Sequence, residues 1–242
     1  MGLKKYIISL LLLFVQSALA VPQLYWPDDY TGSHTEQTLI EMILKVESVF
    51  KSRLEANNTQ YSIDPYWEGP ESGSHINSST DGKNFTVQIS GGGLRNPVKE
   101  FDGMLIGITH EFGHLLQELP LKHDSLSSEG QADYIAGREL KKVLQLFSKH
   151  SSNDKHSSLY EKLCKQVPPS EKKICHRAMR AIENFGEFIA DYKQIEIVPQ
   201  LDTPDNYIAT ETITENYPNP QCRIDTMLAG YFRKDRPGCW YR

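Results

Sequence analysis

The stretch from Gly103 to Leu119 reads GMLIGITHEFGHLLQEL. Met104, Leu105, Ile106, Ile108, Phe112, Leu115 and Leu116 supply the apolar residues of a buried helix. Asp102 is placed to cap this helix and Pro120 to end it. Within it stand His110, Glu111 and His114, an H-E-x-x-H pattern. Residues at i and i+4 of a helix project from one face, so two imidazoles so spaced can bind one metal ion. The glutamate beside the first histidine then reaches the water on that ion. The bland alternative is a helix whose histidines cap or pair at the surface. Burying two histidines and a glutamate among apolar residues would be costly without a purpose, which favours the metal.

A catalytic zinc needs a third protein ligand and an open position for water. His123, Asp124 and Glu129 lie within reach downstream. Glu129-Gly130-Gln131-Ala132-Asp133 places two carboxylates one helical turn apart. Glu129 is the expected ligand, with Asp133 accepting a hydrogen bond from a ligand histidine and fixing its tautomer. Ala132 and Ala136 would let the two helices approach closely. The competing readings are a solvated helix face at Glu129 and Asp133, or His123 as the ligand. His75, His150, His156 and His176 have no metal spacing.

HEFGH followed by E-x-x-A-D resembles the gluzincin zinc peptidases. It is most similar to soluble relatives of the CaaX prenyl protease group and to neutral zinc metallopeptidases of bacteria. The run His110–Gln117 and the block EGQADYIAG at Glu129–Gly137 carry the likeness. A third block, Tyr217-Pro218-Asn219-Pro220-Gln221-Cys222-Arg223-Ile224, resembles a late H-P-x-x-x-x-R-I element, with Tyr217 where histidine is usual. The resemblance implies a zincin-like domain with one zinc per chain on His110, His114 and Glu129. It implies Glu111 as general base and Asp133 in support. The late block would border the active site, with Tyr217 as a candidate oxyanion donor and Arg223 beside it. Arg223, next to a cysteine, could equally be a structural ion-pair partner.

Upstream, Phe85 to Ser90 alternates apolar and polar residues as a half-buried strand does. In the resembling family the corresponding strand is an edge that binds extended substrate. Asp81-Gly82 is a hairpin signal, and Gly91-Gly92-Gly93 reads as a flexible turn. Residues 57–84 suit turns with short strands. A capping box at Ser33 and Glu36 opens a helix over 34–56. Downstream, helices are expected over 128–148, 171–194 and 222–233, with 149–172 a loop. Helix, strands, then helices predicts an α+β fold, mainly helical, with a small sheet beside the metal helix.

Lys4 and Lys5, the apolar run Ile7–Val15 and Ala18-Leu19-Ala20 have the order of a cleavable secretory signal. Residues 1–20 are therefore expected to be removed, leaving one domain over 21–242, secreted or periplasmic. Losing Lys4 and Lys5 takes the formal charge from −5 to −7. A mildly acidic surface argues against nucleic acid as a partner, because phosphate binding needs a basic face. No later stretch is apolar for long enough to insert stably in a membrane. Cys164, Cys175, Cys222 and Cys239 form an even set suited to disulfides in an oxidising compartment. Of three connectivities, 164–175 with 222–239 closes the shortest loops. Asn57, Asn77 and Asn84 stand in N-x-[ST] sequons, which matter only in a eukaryotic secretory pathway.

The sequence thus predicts an exported zinc metallopeptidase acting on peptide or protein substrates. A zinc hydrolase of cell-wall peptide linkages and a non-catalytic zinc-binding protein on the same scaffold are the alternatives.

Overall fold

A computed structural model describes residues 34–68, 74–78, 84–96, 98–149 and 157–242. The expected leader at 1–20, the Ser33 cap and the Asp81-Gly82 turn lie outside these residues.

Helix α1 spans Glu36–Ala56. Its capping box is made by Thr35 and Thr38. The Thr38 N–H donates to the Thr35 hydroxyl, and the Thr35 N–H donates to Thr38 Oγ1. Leu39, Met42, Ile43, Val46, Phe50 and Leu54 form its buried stripe.

Strands β1 (Gln60–Tyr66), β2 (Ser74–Ser78) and β3 (Asn84–Ser90) form one sheet in the order β1-β3-β2. β3 runs parallel to β1 and antiparallel to β2. Phe85, Val87 and Ile89 turn inward from β3, as the alternation requires. The expectation that this strand is a sheet edge is overturned. Both of its hydrogen-bonding sides are paired, so an added peptide would have to join β1 or β2. A period of two reports which face is buried and is silent about lateral neighbours.

The glycine triplet is also not a loose turn. Gly92–Arg95 forms a short buried helical turn, α2. A Cβ at Gly91 would stand 2.3 Å from the Trp67 carbonyl oxygen, so glycine there permits close backbone approach.

Helix α3 spans Phe101–Leu115. It starts after Glu100, so Asp102 is not its cap. Asp102 lies buried in the first turn, where Arg177 Nε and Nη2 donate to its two oxygens at 2.9 and 2.7 Å. Arg180 donates to both oxygens of Glu100. These arginines come from α6 (Lys172–Lys193), which the α3 start therefore docks against. On the opposite face of α3, Phe112 stacks on Phe50 of α1 at 5.7 Å.

Helix α4 spans Glu129–Leu146, capped by the Ser128 hydroxyl, which accepts from the Gln131 N–H. The segment expected as a loop contains α5 (Ser158–Leu163) and a 3₁₀ turn at Pro169–Glu171. α5 buries only Tyr160, which is why it left no periodic trace. α7 spans Pro220–Tyr231 and packs most extensively on α4. The approach is close because both helices offer glycine. A Cβ at Gly137 would lie 1.9 Å from the Met227 carbonyl oxygen, and one at Gly230 2.1 Å from that of Tyr134.

Disulfides join Cys164 to Cys175 and Cys222 to Cys239, the local pairing. The second fastens α7 to the C-terminal tail, whose Trp240 is fully buried against Gly130. Two disulfides fit an oxidising compartment. Among the described residues no helix is long and apolar enough to cross a membrane.

Candidate metal centre

The centre is built where α3 and α4 touch. Gly113 stands over Ala132, and a Cβ there would come within 3.1 Å of the Ala132 carbonyl oxygen. That contact brings the imidazoles of α3 to the first turn of α4. His110 Nε2 and His114 Nε2 lie 3.1 Å apart, and Glu129 Oε2 lies 3.3 and 3.5 Å from them. All three residues are buried. Their ligand atoms fall within 4.8 Å of one another and could hold a metal ion.

The outer ring atoms decide which nitrogens point inward. His114 Nδ1 lies 2.6 Å from the Ser127 carbonyl oxygen, which can only accept, so Nδ1–H donates and Nε2 keeps its lone pair. His110 Nδ1 lies 2.8 Å from Asp133 Oδ1. Both rings therefore present Nε2 to the same point, backed by acceptors as metal-binding histidines generally are. Lys122 Nζ reaches Glu129 Oε1 at 3.4 Å. Glu129 Oε2 is buried and faces the two imidazoles. A buried carboxylate oxygen converging with two imidazole nitrogens is a grouping that a cation would satisfy. The residues present therefore fit a metal ion.

Electrostatics follow the packing. Burial would raise the Glu129 carboxyl, but hydrogen bonds and charge from His110 and His114 hold it well below the usual carboxylate range. Burial would lower His110, but Asp133 and Glu129 outweigh it and the ring is pushed up to about 9. Asp133, fully buried, is held down by Arg223 and His110 against the opposing effect of burial.

The late block also arrives here. Arg223 Nε and Nη2 donate to the two oxygens of Asp133, each at 2.8 Å. The chain of contacts thus runs from Arg223 through Asp133 to His110, placing Arg223 in the ion-pair role behind the site. Its guanidinium also lies over the Tyr217 ring at 5.1 Å. Tyr217 is exposed at the rim, and burial of its hydroxyl together with nearby Glu129 pushes the phenol up to about 12. Glu111, His110, Tyr217 and Arg223 share one cavity of about 370 Å³.

His123 is turned away from the centre. It is 87% exposed and paired with Glu215, so it does not join the ligand set. Asp124 accepts from the Leu126 N–H in a local turn.

Two contributors escaped sequence reading. Ser127 acts through its backbone carbonyl, which no side-chain pattern reports. Lys99 is buried in the cavity wall, and its amine sits 3.8 Å from the Phe188 ring centre. A lone lysine before a helix carries no spacing signal, and only the α3–α6 packing makes it part of the site. No protein-family model, curated protein or solved structure matches the chain.

Proposed function

We propose that this chain is an exported zinc-dependent metalloendopeptidase of the gluzincin type. One observation carries the reading: three buried atoms, His110 Nε2, His114 Nε2 and Glu129 Oε2, converge at 3.1–3.5 Å beside Glu111. Ligands held at about 2.0–2.1 Å around tetrahedral zinc stand about 3.3 Å apart. A mixed nitrogen and carboxylate set with three protein ligands is the donor chemistry of catalytic zinc. The gluzincin resemblance of the first two blocks supports the same reading, and the two disulfides support export.

Zinc, when bound, supplies Lewis acidity to a water and to a carbonyl oxygen. Glu111, next to His110 and opening on the cavity, takes the proton of the attacking water. It then returns that proton to the leaving amine. Asp133 and the Ser127 carbonyl hold the two imidazoles in the tautomers that leave Nε2 free. Tyr217 at the rim is the candidate donor to the developing oxyanion. Its position and intact hydroxyl support that role, although histidine is usual there in the resembling proteins.

The test joins metal analysis to digestion of a broad peptide library by wild-type protein and Glu111→Gln. One zinc per chain is expected in both. Loss of the general base should slow hydrolysis by about 10²–10⁴-fold. A zinc-loaded wild-type protein that cleaves cell-wall fragments but no peptide, or nothing at all, would replace this reading by one of the alternatives.

A further inference from the structure

The cavity beside Glu111 has two unlike walls. α3 contributes His110, Glu111 and the bare backbone of Gly107. α6 contributes the apolar faces of Phe185 and Phe188. At about 370 Å³ the space is near the low end of ligand pockets, roughly 300–1,000 Å³, and suits a small group rather than an extended chain. Lys99 precedes α3 and stands in the cavity wall, with its amine beside Gly107, which is one helical turn along α3 from Glu111. A Cβ at Gly107 would meet only Lys99 Nζ, at 3.9 Å, so glycine leaves open space directly against the amine. Lys193, exposed at the mouth over Tyr217, adds a second positive charge on an otherwise acidic chain.

We propose that Lys99 makes this cavity a carboxylate-selecting subsite, so that favoured substrates carry a carboxylate next to the cleaved bond. For what is cleaved this rests on the peptidase reading; for what is bound it rests on the cavity alone. The chemical reason is the placement of a cation among aromatic rings. An amine placed over a phenyl face is held there by cation–π attraction, which keeps its charge against the cavity. Burial lowers Lys99 to about 8, with Glu111 opposing that fall, so the amine is mostly charged at neutral pH. A substrate carboxylate entering over Gly107 would meet a charged donor in a water-poor space, where such hydrogen bonds are strongest. The phenyl rings would pack on the aliphatic part of the same substrate residue. That carboxylate could be an acidic side chain or a free chain terminus.

The experiment uses the full zinc-loaded protein. Five peptides differ only at the residue after the cleaved bond, with cleavage positions read by mass spectrometry. Three have blocked ends and carry Glu, Gln or Leu there. Two end at that residue, one as the free acid and one as the amide. Wild-type protein should cleave at least one acid-bearing peptide faster than its neutral partner, by about 10–100-fold in kcat/KM, the value of one charge-assisted hydrogen bond. The Glu/Gln pair and the acid/amide pair separate side chain from terminus as its source. Lys99→Met keeps the stem and removes the charge, and should erase the preference. A second measurement does not need turnover: zinc-loaded Glu111→Gln should bind the acidic peptide more tightly than the neutral one, and Glu111→Gln with Lys99→Met should not. Equal cleavage of acidic and neutral peptides, or a preference that survives Lys99→Met, overturns the inference and leaves the peptidase reading intact. Absence of any cleavage with the binding preference retained removes the peptidase reading and keeps the carboxylate site.

Discussion

Arg223 and Asp133 offer the sharpest test of how the centre is held together. Asp133 is fully buried and Arg223 nearly so, at 0% and 8% side-chain exposure. Two hydrogen bonds of 2.8 Å join them, from Nε and Nη2 to separate oxygens. Arg223→Met keeps much of the side-chain volume and leaves Asp133 charged, buried and facing only His110. Hydrogen bonds to charged groups contribute about 1.5–3 kcal/mol each. Breaking a buried pair from one side costs about 3–5 kcal/mol, because the remaining charge is uncompensated. For a chain of this size that predicts a fall in melting temperature of about 6–20 °C. Urea titration of the metal-free protein measures the loss directly. Arg223→Met combined with Asp133→Leu should recover most of that stability, since no charge is then stranded. It should not recover metal affinity, because His110 has lost the acceptor behind its Nδ1. A chelator competition should show affinity weakened by about 10–100-fold in the double variant. A single-variant loss below about 1 kcal/mol would mean that Asp133 finds another partner, and the chain of contacts from Arg223 to His110 would have to be abandoned.

Glu129→Ala should empty the metal site, whereas Asp133→Ala should still load at high metal concentration with affinity weaker by about 10–100-fold; metal analysis showing the reverse order would reassign the third ligand. Gly137→Ala should destabilise by at least about 2–3 kcal/mol, because its Cβ would stand 1.9 Å from the Met227 carbonyl oxygen and α4 would have to part from α7; unchanged urea midpoints would show that the helices can separate at no cost. Glu139 is buried among Arg53, Arg138 and Lys142. Burial would raise its carboxyl, but the Lys142 hydrogen bond and the charges of Arg53, Lys142 and Arg138 outweigh it and lower the pKa. A depressed folded-state pKa gives stability that is present above about pH 4.3 and lost as pH falls through the folded value. Glu139→Gln should therefore cost about 1–3 kcal/mol at pH 7, with a gap from wild type that closes below about pH 4; a gap constant between pH 7 and pH 3 would contradict the linkage.

The buried pair, the glycine contacts and the candidate metal centre form one structural unit. Gly137 and Gly230 set the α4–α7 distance, that distance delivers Arg223 to Asp133, and Asp133 orients His110. The Cys222–Cys239 disulfide and Trp240 clamp the far side of the same arrangement against Gly130, the neighbour of Glu129. A destabilising change in this tail should therefore be felt first as loss of metal.

What the sequence determined by itself were the features whose physics is local. The i, i+4 geometry of one helix put His110 and His114 on one face before any fold was known, and the same rule paired Glu129 with Asp133. Helical and strand periods located α1, β3, α3, α4 and α6, and loop length favoured the two disulfides that form. What only the tertiary structure decided were contacts between residues remote in the chain. Arg223 meets Asp133 across 90 residues, and Arg177 takes Asp102 across 75, turning an expected helix cap into a buried ion pair. β3 is central rather than an edge, because a strand's pattern encodes its faces and not its lateral partners. Lys99 and the Ser127 carbonyl joined the site unannounced. One is a single charge without spacing and the other a backbone atom, and both are defined only by what the chain folds against them.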